Sequence, residues 1–373
     1  MHEEERAYVK EAFDTNWVAP LGPNVDGFEE GICSYLTDGE GGLFAAALTS
    51  GTAAIHLPVV LLDIHEGDYV FCQSMTFAAS VNPVVYQHAT PIFIDSEPDT
   101  WNMSPVALKK AFEKYPHPKA VIPVHLYGTP AKMDEIMEIC REREVPIIED
   151  AAEALGSRYK GKACGTFGDF GSLSFNGNKI ITSSGGGMLV SKDQDMVERA
   201  RFLSTQARDP APHYQHSVIG YNYRMSNVLA GIGLGQLKHL DEHLERKRNI
   251  YSKYKEAFSD IEEITMNPMN ADGEANNWLS CITIDGNSKT DHRDVKAALE
   301  REINAESRPL WKPMHMQPVY AGCEFFADPQ GEDKPTGSVC GDLFERGLCL
   351  PSDIKNTEED MKAIIQVVRD LFE

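Results

Sequence analysis

Short apolar runs alternate with helix-like stretches along the first half of the chain. The runs are rich in Val, Ile and Phe and cover residues 69–72, 91–95, 120–124 and 145–150. They follow stretches of helical pattern or length at residues 52–62, 78–86, 105–114 and 133–143. This alternation predicts βαβ units and a mostly parallel sheet that is covered on both faces. Residues 168–175 and 186–190 predict two further strands, joined as a hairpin around residues 183–185.

The pattern changes after Ser226. Leucine and isoleucine recur near helical spacing between residues 226 and 258, which predicts one long amphipathic helix. A strand at 278–284 and helices at 291–302 and 357–372 follow, and an N-terminal helix is expected at 4–13. We therefore predict a large α/β domain over residues 1–244 and a small α+β domain over residues 245–373.

Charge and composition exclude several classes of protein. The chain of 373 residues has 57 Asp and Glu against 35 Lys and Arg, a net charge of −22 at pH 7. Phosphate backbones and anionic lipid repel such a surface, so we expect neither nucleic-acid nor membrane binding. The hydrophobic content of 42% is that of a globular protein, and no apolar run approaches the roughly 20 residues of a membrane helix.

The cysteines and the N-terminus bear on location. Eight cysteines are scattered without a C-x-x-C pair, which favours free thiols in a reducing cytoplasm over a disulfide framework or a metal site. The first residues are acidic and lack the basic and apolar parts of a signal peptide. We expect a cytoplasmic protein without a metal.

Three local features suggest a site for a phosphorylated cofactor. Small and hydroxyl residues at 50–54 precede a helix, where free backbone N–H groups can bind a phosphate, although taken alone a plain helix cap is the better explanation. Asp150 ends a predicted parallel strand, where α/β sheets place ligands, or it caps the next helix. Lys179 lies on a Gly/Asn-rich turn, and lysine forms Schiff bases with aldehydes, although most lysines are solvated surface charges.

Taken together and in this order, these features are typical of a pyridoxal phosphate site, and the chain resembles the DegT/DnrJ/EryC1/StrS family of sugar aminotransferases. The matching stretches are residues 50–54, 76–80, 148–153, 174–179, 220–224 and 308–309. The resemblance implies a fold-type-I, aspartate aminotransferase-like α/β fold with a large, mostly parallel seven-stranded sheet domain and a smaller α+β C-terminal domain. It also implies a homodimer with shared active sites.

Residue roles follow from the same resemblance. Lys179 is expected to hold pyridoxal 5′-phosphate as a Schiff base and to shuttle the catalytic proton. Asp150 is expected to pair with the pyridine nitrogen, and Glu153, where relatives often have Gln or His, with the phenolic oxygen of the ring. Phe77 is expected to stack on the ring of the cofactor. The phosphate is expected to be held by Gly51, Thr52, Ala53 and Ser174, and by Asn222 from the neighbouring subunit.

The sequence constrains the identity of the substrates less than that of the cofactor. Residues 71–74, 96–103, 213–216 and 308–313 resemble the exopolysaccharide-biosynthesis branch of the family, which implies transfer of an amino group from glutamate to the 4-keto carbon of a UDP-linked 4-keto-6-deoxy-N-acetylhexosamine, as in bacillosamine synthesis. Two loop regions could contact the nucleotide or the sugar. Their candidate residues are Arg208, His213, His216, Arg308, Trp311 and His315, for which a solvated loop is an equal alternative.

Four alternative functions are considered. The same mechanism could aminate the 3-keto position of a dTDP- or UDP-linked sugar. A dehydratase on this scaffold has His in place of Lys179, and a regulator that does not catalyse needs a basic DNA-binding module, which the charge opposes. A nicotinamide dehydrogenase is disfavoured because the best glycine pattern, Gly231-Ile232-Gly233-Leu234-Gly235, follows no strand and lacks the third spaced glycine.

Overall fold

The computed structural model describes all 373 residues. Thirteen helices are present: α1 (Glu3–Asp14), α2 (Pro23–Leu36), α3 (Gly51–Leu61), α4 (Asn82–Tyr86), α5 (Pro105–Lys114), α6 (Met133–Arg141), α7 (Gln194–Ser204), α8 (Asn227–Leu237), α9 (Leu240–Ala257), α10 (His292–Ile303), α11 (Pro329–Glu332), α12 (Val339–Arg346) and α13 (Glu358–Arg369). None of them is long and apolar enough to cross a membrane.

Fifteen strands accompany them: β1 (Phe44–Leu48), β2 (Tyr69–Gln73), β3 (Thr90–Ile94), β4 (Val121–Ile122), β5 (Ile148–Asp150), β6 (Arg158–Tyr159), β7 (Lys162–Ala163), β8 (Phe170–Ser174), β9 (Gly187–Ser191), β10 (Ile264–Met266), β11 (Gly273–Glu274), β12 (Cys281–Ile284), β13 (Arg308–Pro309), β14 (Phe325–Phe326) and β15 (Gly347–Cys349).

The central sheet has the strand order β1-β9-β8-β5-β4-β2-β3, with two parallel bridges joining β4 to β5. Only β9 runs antiparallel to its neighbours, and it forms the predicted hairpin with β8. The predicted seven-stranded, mostly parallel sheet is therefore confirmed. The C-terminal half of the chain adds β14 at the outer edge, parallel to β3.

The small domain is an antiparallel sheet of order β10-β12-β15-β13 whose core is completed by α10 and α13. The predicted boundary at 244/245 falls inside α9. Leu244 packs in the core of the large domain, whereas Ile250 and Tyr254 pack in the core of the small domain. The helix is thus shared, and the division of the chain at this residue stays a prediction.

The single long helix predicted for 226–258 is wrong. The chain turns between α8 and α9, at Lys238 and His239. The two parts bury different faces: a Cβ at Gly235 of α8 would lie 2.6 Å from the backbone nitrogen of Glu5, so α8 packs closely on α1. The second part instead reaches toward the small domain. A helical pattern on both sides of the turn concealed the break, because Lys and His are ordinary helix residues.

The site is assembled at one edge of the central sheet. Strands β1, β2, β5 and β8 run parallel to one another, so their carboxyl ends meet there. The residues that follow or end these strands carry the predicted chemistry. Ligands of open α/β sheets bind at this edge.

Candidate active site

A cavity of about 380 Å³ opens at the carboxyl edge of the sheet, between the large and small domains. Seven predicted cofactor residues and two predicted substrate residues line it: Gly51, Thr52, Phe77, Asp150, Glu153, Ser174, Lys179, Arg308 and Trp311. The structure therefore brings together residues that are up to 260 positions apart in the chain.

The phosphate-sized end of the cavity is the N-terminus of α3. Ser50 caps this helix by accepting the Ala53 N–H at 3.1 Å, which leaves the amides of Gly51 and Thr52 without an acceptor in the chain. A Cβ at Gly51 would lie 3.0 Å from the Cβ of Ser174, so this wall is closely packed. Free N–H groups at the positive end of a helix dipole form an anion cradle. Ala53 uses its own N–H in the cap and lies behind the lining.

Asp150 lies at the base of the cavity and is 5% exposed. The Ser80 hydroxyl donates to Oδ2, and the Ala152 N–H donates to Oδ1 at 3.1 Å. A buried carboxylate that is fixed in this way suits a protonated pyridine nitrogen, which has one N–H to donate.

Lys179 enters from the loop between β8 and β9, and its side chain is 12% exposed. The Nζ atom lies 3.7 Å from Glu153 Oε1 and 4.3 Å from the centre of the Trp278 ring. Burial raises the pKa of Glu153 to about 7, while Lys179 and the Tyr127 N–H, which donates to Oε2 at 2.7 Å, oppose this rise. The lysine thus faces a carboxyl group that can hold a proton near neutral pH.

Phe77 lies at the mouth, with 60% of the residue exposed. Its ring centre is 5.7 Å from that of Trp311. An exposed ring in the lining of the cavity leaves a face on which a flat aromatic group can stack. The anion cradle, the fixed carboxylate, the buried lysine and this open ring fit pyridoxal phosphate.

Five predicted residues lie elsewhere in this chain. Asn222 is exposed and pairs with Thr205 outside the cavity. The loop candidates face solvent: Arg208 lies over the Tyr214 ring at 4.5 Å, and His216 Nδ1 bonds to the Gln206 carbonyl. These two and the exposed His213 do not line the cavity.

His315 is also outside the lining, and it packs internally. Its Nδ1 and the Ser74 hydroxyl group are hydrogen-bonded at 2.7 Å, and its ring stacks on Phe325 with centres 3.8 Å apart. Burial lowers the pKa of His315 to about 4. Its observed contacts are those of a neutral histidine that joins the small-domain loop to β2.

Several lining residues were missed from the sequence. Trp278 has no local signal, because it reaches Lys179 from a segment about a hundred residues away. Thr76 and Asn178 could have been found as neighbours of Phe77 and Lys179. The other unpredicted members of the lining are Thr49, Ser50, Ile55, Ala79, Ala152, Asn176, Gly185 and Gly186.

Comparison with known proteins agrees with this geometry. Residues 1–369 match the DegT/DnrJ/EryC1/StrS aminotransferase family. EpsN of Bacillus subtilis (strain 168), which carries the name of a pyridoxal phosphate-dependent aminotransferase, is 54% identical over 372 residues, 99% of this chain and 93% of that protein. GDP-perosamine synthase of Caulobacter vibrioides is 36% identical over 362 residues, 97% of this chain and 93% of that protein.

The fold agrees as well. The crystal structure of a DegT DnrJ EryC1 StrS aminotransferase from Brucella abortus has a TM-score of 0.88 at 28% identity, covering 99% of this chain and 95% of that one. Both the sequence matches and the structural match extend over nearly the whole chain. The chain therefore belongs to the DegT/DnrJ/EryC1/StrS aminotransferase family and is a pyridoxal phosphate-dependent sugar aminotransferase.

Proposed function

We propose that the enzyme transfers an amino group from glutamate to the 4-keto carbon of a UDP-linked 4-keto-6-deoxy-N-acetylhexosamine, for surface or exopolysaccharide synthesis. The observation that carries this proposal is the mouth of the site: Arg308 and Trp311 of the small domain face the cofactor pocket beside Lys179. A guanidinium and an indole are suited to a diphosphate and to a sugar or base. The 54% identity to EpsN supports the exopolysaccharide assignment.

The contacts support the following roles for the protein in this reaction. Pyridoxal phosphate, when bound, supplies an electron sink that stabilises negative charge at the carbon next to the transferred nitrogen. Gly51 and Thr52 would hold its phosphate, and Asp150 would hold its ring nitrogen. Lys179 binds the cofactor and, when an amine donor has released it, holds and moves a proton at Nζ. Glu153, beside it, sets the charge that the lysine experiences.

We propose further that the working unit is a homodimer in which Asn222 completes the phosphate site of the neighbouring subunit. Asn222 is exposed and is turned away from its own cavity. Exposed apolar side chains lie close to it in sequence, with Ile219 86% and Tyr214 79% exposed. Covering them in an interface is favourable, because large exposed apolar patches are unusual in monomers. In the same arrangement Arg208, His213 and His216 are candidates for the partner's substrate.

The nucleotide and the carbon position define the second candidate function. GDP-perosamine synthase, at 36% identity, bears the name of an enzyme of a GDP-linked sugar. Amination at the 3-keto position of a dTDP- or UDP-linked sugar uses the same residues.

All eight cysteines are free thiols, which supports a reducing, cytoplasmic location.

A substrate panel tests the proposal. Purified holoenzyme is incubated with glutamate and with 4-keto and 3-keto sugars linked to UDP, GDP or dTDP; products are identified by mass spectrometry and the aminated carbon by NMR. We expect amination at C4 of the UDP-linked N-acetylated sugar, and none with Lys179→Ala. Preferential amination of a GDP- or dTDP-linked sugar, or at C3, would overturn the substrate assignment.

A further inference from the structure

Tyr127 lies behind the active site, between its two walls. It occupies a short 3₁₀ turn (Leu126–Gly128) after β4 and is 1% exposed. Its φ angle of 54° is in the left-handed region, which a bulky residue adopts only where the surroundings enforce it. Its backbone N–H bonds to Glu153, the carboxyl group that Lys179 faces, so this strained residue is linked to the active site as well as to the core.

The turn is tied to the cofactor wall by its backbone. The Tyr127 N–H donates to Glu153 Oε2 at 2.7 Å, and the His125 N–H donates to the Asp150 carbonyl at 3.1 Å. The next residue, Gly128, has a φ of 90°, and a Cβ there would lie 1.8 Å from Asn276 Oδ1. The turn therefore has little freedom to move relative to the carboxylates that face the cofactor.

The side chain is tied to the substrate wall. The Tyr127 phenol oxygen accepts the backbone N–H of Trp311 at 3.0 Å, and the two rings meet edge to face with centres 5.2 Å apart. Trp311 in turn contacts Phe77 and Trp278, which both line the cavity. One residue thus joins Glu153 through its backbone and Trp311 through its hydroxyl group.

The geometry points to Tyr127 as a positioning residue that fixes the Arg308–Trp311 segment, and with it the sugar-nucleotide side of the site, relative to the cofactor wall. This inference rests on the proposed role of Arg308 and Trp311 in binding the acceptor. The half-reaction with glutamate depends on the residues that hold the cofactor. The half-reaction with the keto sugar also needs Arg308 and Trp311 at a fixed position relative to those residues. Loss of the hydroxyl group should therefore affect the two halves unequally.

Tyr127→Phe removes the hydroxyl group and keeps the backbone N–H bond to Glu153. We expect KM for the keto sugar to rise about ten-fold, because the partly buried backbone N–H of Trp311 loses its acceptor, while the rate of the glutamate half-reaction stays within about two-fold. Tyr251→Phe is the matched control, since it removes a buried hydroxyl group that donates to the Asn267 carbonyl at 2.7 Å in the small domain. The acceptor is whichever nucleotide-linked keto sugar the wild type aminates, so a wrong UDP assignment leaves this test intact.

Hydrogen exchange of the peptide that contains the Trp311 amide provides a readout independent of turnover. In the wild type this amide is expected to be protected from exchange, and pyridoxal phosphate should increase the protection. Tyr127→Phe should lose the protection and its increase, whereas Tyr251→Phe should keep both. An acceptor KM equal to that of the control, or equal losses in both half-reactions, overturns the inference. If Tyr127→Phe does not fold, an unprotected Trp311 amide in the wild type overturns it as well.

Discussion

At the scale of single residues, Glu153 is a group of the cofactor site whose charge state depends on its surroundings. It is 5% exposed, and burial raises the pKa of its carboxyl group to about 7 although Lys179 lies 3.7 Å away. A glutamine at this position could accept the Tyr127 N–H equally well, but it would not titrate. The acid therefore adds a charge change near neutral pH to the cofactor site.

Glu153→Gln should change how stability depends on pH. Because the pKa of Glu153 is higher in the folded than in the unfolded state, the folded protein binds the extra proton between about pH 4.5 and 7, and stability falls as pH rises through that window. We expect the wild-type apoprotein to lose up to about 3 kcal/mol relative to Glu153→Gln between pH 5 and pH 8.

Urea unfolding of both apoproteins at the two pH values measures this difference. A gap between the two proteins that stays constant with pH would show that Glu153 does not titrate in the folded state. The measurement requires no cofactor and no substrate, so it stands apart from the assignment of the reaction.

Residue identity also shows what sequence reasoning could and could not find. Gly51 begins a helix, Asp150 ends a strand and Lys179 lies in the loop between β8 and β9, so the local pattern already indicates a boundary between elements at each of them. Trp278 and Tyr127 reach the site through long-range packing, which no local pattern encodes. His315 was proposed from its neighbours in the loop, yet the observed side chain turns to Ser74.

At the scale of elements, the N-terminus of α3 forms the proposed phosphate contact. Its apolar pattern and its small first residues predicted both the helix and the cradle, because capping and anion binding use the same free N–H groups. The turn between α8 and α9 was not predictable in the same way. On its N-terminal side α8 packs closely on α1 at Gly235, and such long-range packing leaves no signal in the local pattern.

Gly51→Ala tests the cradle. The added Cβ would lie 3.0 Å from Ser174 Cβ at the wall of the phosphate end. We expect the Kd of the apoprotein for pyridoxal phosphate to rise about ten-fold, a loss of roughly 1.4 kcal/mol, with a smaller effect on unfolding. Fluorescence titration with the cofactor measures it.

Gly286→Ala is the control for Gly51→Ala. Its new Cβ would be 3.8 Å from the Arg346 side chain, an ordinary contact in the small domain. An unchanged cofactor Kd in Gly51→Ala, equal to that of the control, would remove the α3 N-terminus from the phosphate site.

At the scale of the whole molecule, the protein has a net charge of −22, yet its site must bind an anionic cofactor and an anionic nucleotide. Local groups resolve the conflict, because helix-end amides, Lys179 and Arg308 face the cavity while the surface stays acidic. The fold class followed from the alternation of strands and helices. The addition of β14 to the large sheet did not, since a two-residue strand gives no periodic signal.

The proposed homodimer is tested by Ile219→Arg. Ile219 is 86% exposed and lies three residues before Asn222, so a charge there should oppose burial in the interface and also withdraw the partner's phosphate contact. We expect sedimentation to show a dimer for the wild type and a monomer for the variant at micromolar concentration, with weaker cofactor binding.

Val106→Arg places the same charge on an exposed position of α5, where Val106 is 50% exposed, and should remain dimeric. A wild-type protein that sediments as a monomer while binding pyridoxal phosphate tightly would contradict the shared site.

The most direct test of the central claim follows the cofactor spectrum through both halves of the reaction in one cuvette. Glutamate should convert the visible band of the lysine-bound cofactor to the near-ultraviolet band of the amine form, and the UDP-linked 4-keto-6-deoxy-N-acetylhexosamine should then restore the visible band. Lys179→Ala should show neither the starting band nor its return. A wild-type spectrum that glutamate converts but that this sugar leaves unchanged, while a GDP- or dTDP-linked keto sugar restores it, would contradict the account.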